Sequence, residues 1–170
     1  SMVIFIIGCT FVQCFLFGVF FHFHDALPKG EQYVKTEIPG SISTKNMYTT
    51  VDKKEELEAL GGYLTQNHLT EKKVLLYGEI PAISYIFDME PAVYTTWADL
   101  RSNTLERLQA DLDAITTDYP VVIVTDAIGQ ELSGDTSYVD EKLDAIAQFL
   151  SRGNYQCGYA QKGYYVYTSQ

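Results

Sequence analysis

The sequence predicts an α/β protein. The expected plan is a mostly parallel open sheet with helices on both faces, Rossmann- or flavodoxin-like, with an antiparallel C-terminal hairpin and one hydrophobic helix in front. Three observations carry this expectation. Short apolar runs stop at a glycine or an acid, Val74–Tyr77 before Gly78 and Val121–Thr125 before Asp126, as buried parallel strands do. Between such runs lie segments whose leucines and isoleucines recur at helical spacing. At the front stands an uncharged run, Met2–Phe21.

Ser1 reads as the remainder of a cleaved tag, so the native chain is expected to begin further upstream. As a helix, Met2–Phe21 would span ~30 Å, the hydrocarbon thickness of a bilayer. It lacks the basic start and small-x-small cleavage site of a secretory signal. Buried core helices seldom run so long without a polar face, so a membrane helix is the preferred reading over a signal or a core helix. Gly8 and Gly18 are not at GxxxG spacing, so no dimer face is indicated. His22 and His24 alternate with Phe21 and Phe23, which suits a membrane interface better than a chelating pair. The expected organisation is a hydrophobic helix over 1–24, a connector over 25–45 and a soluble α/β domain over 46–170.

The connector is punctuated by Pro28, Gly30, Pro39 and Gly40, with a short helix or extended arm over 32–38. Residues 46–50 are β-prone. Residues 52–67 read as a helix, capped by Thr50 or Asp52, with Leu57, Leu60, Tyr63 and Leu64 on one face. The stretch 73–97 organises the domain. Its strand Val74–Tyr77 ends at Gly78, which permits a turn that a Cβ would hinder. Pro81 opens a short apolar helix, residues 88–91 break it before Pro91, and residues 92–95 are expected as the next strand. A polar turn over 98–103 follows, then a helix over 104–117 with Leu105, Leu108, Leu112 and Ile115 on one face. After Val121–Thr125, residues 127–137 read as a loop. Residues 140–152 read as a helix ended by Gly153, and 155–160 with 164–168 as a hairpin.

The composition is that of a folded chain, with 170 residues, 46% hydrophobic and 14% aromatic. Its 13 tyrosines are expected mainly in the core and on half-exposed sheet. The net charge of −10, with dispersed acids and no basic stripe, argues against a nucleic-acid partner. Cys9 and Cys14 lie in the hydrophobic run and Cys157 stands alone in the soluble part, so no disulfide is expected within that part. No metal-ligand spacing and no cofactor signature is present: neither GxGxxG after a strand, nor GxxxxGK[ST], nor GxSxG.

In an open α/β sheet, ligands settle at the carboxyl ends of the strands. That rule selects Glu79, Trp97, Asp99 and Asp126, with Tyr48 joining if its segment is a strand. Glu79 and Asp126 are either a working carboxylate pair or separate caps of the segments that follow them. Trp97 with Asp99 is either a sugar platform or a rim tryptophan with a turn acid.

The last hydrophobic span, Phe23-His24-Asp25, the stretch from Asn46 to Thr50, the stretch from Tyr77 to Tyr85 (YGEIPAISY) and the stretch from Pro91 to Leu100 (PAVYTTWADL) together resemble a known arrangement. It is the C-terminal region of bacterial polytopic membrane glycosyltransferases related to the protein O-mannosyltransferases, and the resemblance covers nearly the whole chain. It implies a cell-membrane protein that uses a lipid-linked sugar donor and transfers sugar on the extracytoplasmic face. The family's catalytic aspartate lies in the first external loop, to which no residue here corresponds, so no catalytic residue is assigned. The domain is expected to be non-catalytic by itself: binding acceptor glycan, steadying loops over the active site or contacting a partner. Lipid is the expected partner of Met2–Phe21, through which self-association is also open. The alternatives are a stand-alone membrane-anchored domain that binds a ligand or a protein, and a soluble enzyme in which Met2–Phe21 is buried.

Overall fold

The computed structural model describes residues 2–20, 34–36, 47–134 and 140–170. The chain divides into two compact units, 1–33 and 34–170. The expected pair His22 and His24 and most of the connector lie outside the described residues.

The first unit contains helix α1 (Met2–Phe20). Its 19 residues would measure about 28 Å at the α-helical rise. The one polar contact described is internal, Thr10 Oγ1 donating to the Ile6 carbonyl at 2.9 Å. Met2, Ile4 and Phe11 are each more than 70% exposed. Among the described residues, no helix is long and apolar enough to cross a membrane; the described side chains of α1 stop at Gln13, short of its end.

In the second unit, β1 (Val34–Thr36) and β2 (Met47–Thr49) form an antiparallel ribbon of their own. Within the expected 32–38 segment, the described residues 34–36 are extended. Tyr48 thus lies on a strand, the condition for its selection, and that strand belongs to this ribbon and not to the main sheet. Thr50 then caps α2 (Val51–Gln66), its Oγ1 accepting from the Lys53 N–H at 3.3 Å.

The main sheet has four strands in the order β3-β4-β6-β5, with β3 Val74–Tyr77, β4 Val121–Thr125, β5 Tyr155–Gln161 and β6 Tyr164–Ser169. The α/β class is as expected, but the sheet is mixed: β3 and β4 are parallel, while β4–β6 and β6–β5 are antiparallel. Two facts reduce the expected parallel content. Residues 92–95 form no strand. Their backbone follows the β3 edge for one bridge, with Val74 N–H donating to the Glu90 carbonyl and Ala92 N–H donating to the Val74 carbonyl, and then leaves. Pro91 has no N–H to extend a ladder, and the Tyr94 N–H donates to Asp111 instead. In addition, the terminal hairpin places β6 in the sheet interior beside β4, leaving β5 as the edge.

Helices cover both sheet faces, as the alternation of strand residues requires. Val74, Leu76, Val121 and Ile123 face α2 and α3 (Ala82–Ile86), packing on Leu57, Leu60, Leu64 and Ile83. Leu75, Val122 and Val124 face the other way. There they meet α4 (Leu105–Ala114) and α6 (Glu141–Arg152) through Leu108, Leu112, Ile146 and Phe149.

The residues after β4 are a helix and not the expected loop: α5 spans Asp126–Ser133. Gly129 makes this helix fit, because a Cβ there would run into the Tyr165 ring. The tyrosines are chiefly structural. Tyr77, Tyr159, Tyr164 and Tyr167 are buried, and Tyr119 and Tyr155 flank Phe149 with ring centroids 6.0 and 5.5 Å away.

Candidate functional site

The carboxyl ends of β3 and β4 meet at Gly78 and Thr125. Gly78 has φ +106°, and a Cβ there would stand 2.5 Å from Thr125 Oγ1, so only glycine fits both the backbone and the space. Glu79 follows with φ +61°. A left-handed conformation strains a residue with a Cβ, and two such residues in succession turn the chain sharply away from the sheet.

Asp99 holds this turn. Its Oδ2 accepts from the Glu79 N–H at 2.7 Å, across 20 residues of sequence. Two residues selected from sequence are therefore brought together, but through the Glu79 backbone. The Glu79 side chain is left exposed.

Asp126 is exposed in the first turn of α5, where a carboxylate suits the helix dipole. Its Oδ2 accepts from Gln130 Nε2 at 2.6 Å, and its N–H donates to the Gly163 carbonyl at 2.9 Å. The first is a pair one turn apart along α5, and the second ties the start of α5 to the β5–β6 turn. Trp97 is 37% exposed, in a turn where Thr95 Oγ1 accepts its N–H at 3.1 Å. The side chain of Tyr48 lies outside the described residues.

Sequence reading missed Tyr77 and Asp140. Tyr77 ends β3 with its ring buried, and its hydroxyl donates to Asp140 Oδ2 at 2.8 Å. Asp140 caps α6, its Oδ1 accepting from the Lys142 N–H at 2.9 Å. Burial, the bond to Asp140 and the negative charges of Asp140, Asp99 and Glu131 together push the Tyr77 hydroxyl far above the usual tyrosine range. Tyr77 is thus held neutral, as a donor. Asp140 was legible as a helix start. Nothing local signalled its partner.

The strand ends thus gather Asp99, Asp140 and Glu131 near a neutral tyrosine. Among the described residues, no three His, Cys, Asp or Glu side chains are grouped so as to hold a metal. Away from the strand ends, a concavity of about 310 Å³ lies between α4 and α6 and is lined by Leu112, Ala145 and Phe149 with Gln109, Gln148 and Arg152. Its cation is engaged already: Arg152 pairs with Asp113 at 2.6 Å and donates to the Leu112 carbonyl at 2.7 Å.

On the same loop as Trp97, Tyr94 is 72% exposed. The Arg107 guanidinium lies over its ring, 3.5 Å from the centroid, and the Tyr94 backbone N–H donates to Asp111 Oδ2 at 2.9 Å.

No family model, no curated protein and no solved structure matches the chain.

Proposed function

We propose that this chain is a membrane-tethered, extracytoplasmic accessory domain of a larger glycosyltransferase-like membrane protein that uses a lipid-linked sugar donor. The observation that carries the proposal is α1, an uncharged helix of 19 residues with its described apolar side chains exposed, followed by a separate α/β unit. Lipid suits such a helix, because the backbone groups between its end turns are bonded internally and no charge must be desolvated.

The strand-end chemistry supports a non-catalytic role. Asp99, Asp126 and Asp140 each accept hydrogen bonds that build turns and helix starts. The domain then serves to bind acceptor glycan, or to steady neighbouring loops of the parent protein. The second reading is a stand-alone anchored binding domain. It shares the anchor and the strand-end geometry, and differs in having no membrane region upstream.

Sidedness is testable through Cys157, an exposed free thiol on the edge strand β5. Burial raises its pKa even so, so labelling should run at mildly alkaline pH. In intact cells, a membrane-impermeant maleimide should label Cys157 before lysis and leave Cys157→Ser unlabelled. Labelling only after lysis would reject the extracytoplasmic placement. The glycosyltransferase reading fails separately, if the full native chain carries no membrane region upstream of residue 2.

A further inference from the structure

We infer that Tyr94, backed by Arg107, is a stacking platform for a neutral pyranose ring of a glycan. The platform rests on the geometry described above; the ligand class rests also on the glycosyl-transfer reading.

An exposed tyrosine side chain ordinarily samples several rotamers, and a ligand must then freeze them. Tyr94 is held before any ligand arrives. Its backbone is tied to α4 through Asp111, and Arg107, also on α4, covers one ring face. The adjacent Val93 and nearby Ala98 are buried against the α4 side of the sheet, which fixes the loop from both sides. With 72% of the residue exposed, the opposite ring face is open to solvent. The result is a rigid aromatic face turned outward, suited to the C–H face of a sugar ring.

The Arg107 guanidinium makes no hydrogen bond or ion pair among the described residues. Its N–H groups are therefore available to ligand hydroxyls beside the ring. The platform itself carries one positive charge, Arg107, and one negative, Asp111, so it has no local excess that calls for an anion. The chain's net −10 then disfavours a phosphate or an anionic lipid headgroup relative to a neutral sugar. The platform is separate from Trp97 and Asp99, the other aromatic and polar pair on this loop, whose Asp99 accepts the Glu79 N–H.

The test uses the whole chain in zwitterionic detergent free of sugar headgroups, with tyrosine rings labelled for NMR. Methyl glycosides of glucose, galactose and mannose are titrated, with inorganic phosphate as the charged comparison. At least one glycoside should shift the Tyr94 ring resonances saturably in the millimolar range, and phosphate should not. In the variants binding is read on the glycoside's own resonances, by their broadening on adding protein. Tyr94→Phe should retain binding. Tyr94→Ala should weaken it about tenfold, and Arg107→Gln a few-fold, with thermal unfolding little changed because both side chains are exposed. The inference is overturned if no glycoside moves Tyr94, if glycoside broadening is undiminished in Tyr94→Ala, or if phosphate alone shifts Tyr94. Sugar transfer by membranes carrying the parent protein is read in parallel. Transfer without any shift at Tyr94 defeats the platform alone, whereas a chain with no upstream membrane region defeats the glycosyl-transfer reading whatever Tyr94 binds.

Discussion

The Tyr77 hydroxyl donates to Asp140 Oδ2 at 2.8 Å, joining the last residue of a buried strand to the cap of a helix 63 residues later. The contact ties β3 to α6 across the face that α4 and α6 cover. Asp140 thereby serves two donors, one on each carboxylate oxygen: the Lys142 N–H that starts its helix and the phenol that ends the strand.

Removing either partner should cost stability. Tyr77→Phe keeps the ring and loses the bond, for about 1–2 kcal/mol by denaturant unfolding. Asp140→Ala also removes a cap and should cost about 2–3 kcal/mol. In the double variant the losses should be less than additive, by roughly 1 kcal/mol. Strict additivity would mean that the two residues do not interact in solution.

Alkaline pH should unfold the domain through its buried phenols. Burial raises the pKa of both Tyr77 and Tyr155. A group with a raised folded pKa contributes stability that is fully present below its unfolded value, about 10 for tyrosine, and that is lost as pH rises toward the folded value. Stability should therefore be flat with respect to these groups below pH ~10 and fall above it. Tyrosinate absorbance should rise in step with loss of circular dichroism, and Tyr77→Phe should flatten the decline. Ionisation of all tyrosines in a still-folded chain would contradict the buried phenols.

The turn at the end of β3 makes opposite predictions for adjacent residues. Gly78→Ala meets both the positive φ and Thr125, and should destabilise by about 2 kcal/mol or more. Glu79→Gly relieves the strain at φ +61° while keeping the N–H that Asp99 accepts, and should be neutral or stabilising by up to about 1 kcal/mol. Asp99→Ala removes the acceptor and should cost about 1 kcal/mol. Thermal melts of the three variants check the ordering.

Gly129→Ala places a methyl group against the Tyr165 ring, at a site buried between α5 and β6. Overpacking there should cost about 1–3 kcal/mol. A double variant with Tyr165→Leu should recover part of the loss, and no recovery would assign the cost elsewhere.

The helix faces and central strands were legible because their signals are local. Leu57, Leu60 and Leu64 share a stripe, the 121–124 run is apolar throughout, and Thr50, Thr104 and Asp140 sit where caps belong. The errors came where the partner decides. Residues 92–95 have β-prone composition, but their backbone donors go to β3 for one bridge and then to Asp111. Gly129 looked like a loop glycine, and in the fold it is a contact glycine inside α5. At the candidate site, the sequence selected Glu79, Asp99 and Asp126 by position. It had no means of seeing that Asp99 would be spent on a backbone N–H, or that Arg107 would lie behind Tyr94.

The central claim is that α1 is a membrane anchor for an α/β domain. It is tested most directly by vesicle flotation of the whole chain, with Phe11→Lys, near the helix centre, as the control. A lysine there costs roughly 2.5–3.5 kcal/mol of insertion free energy. The account predicts that the wild-type chain floats with the vesicles, resists alkaline extraction and needs detergent to stay dispersed. Phe11→Lys should be shed by the same extraction, with its domain still folded. A wild-type chain that remains a soluble monomer without detergent, and never floats, would contradict the anchor and with it the proposed function.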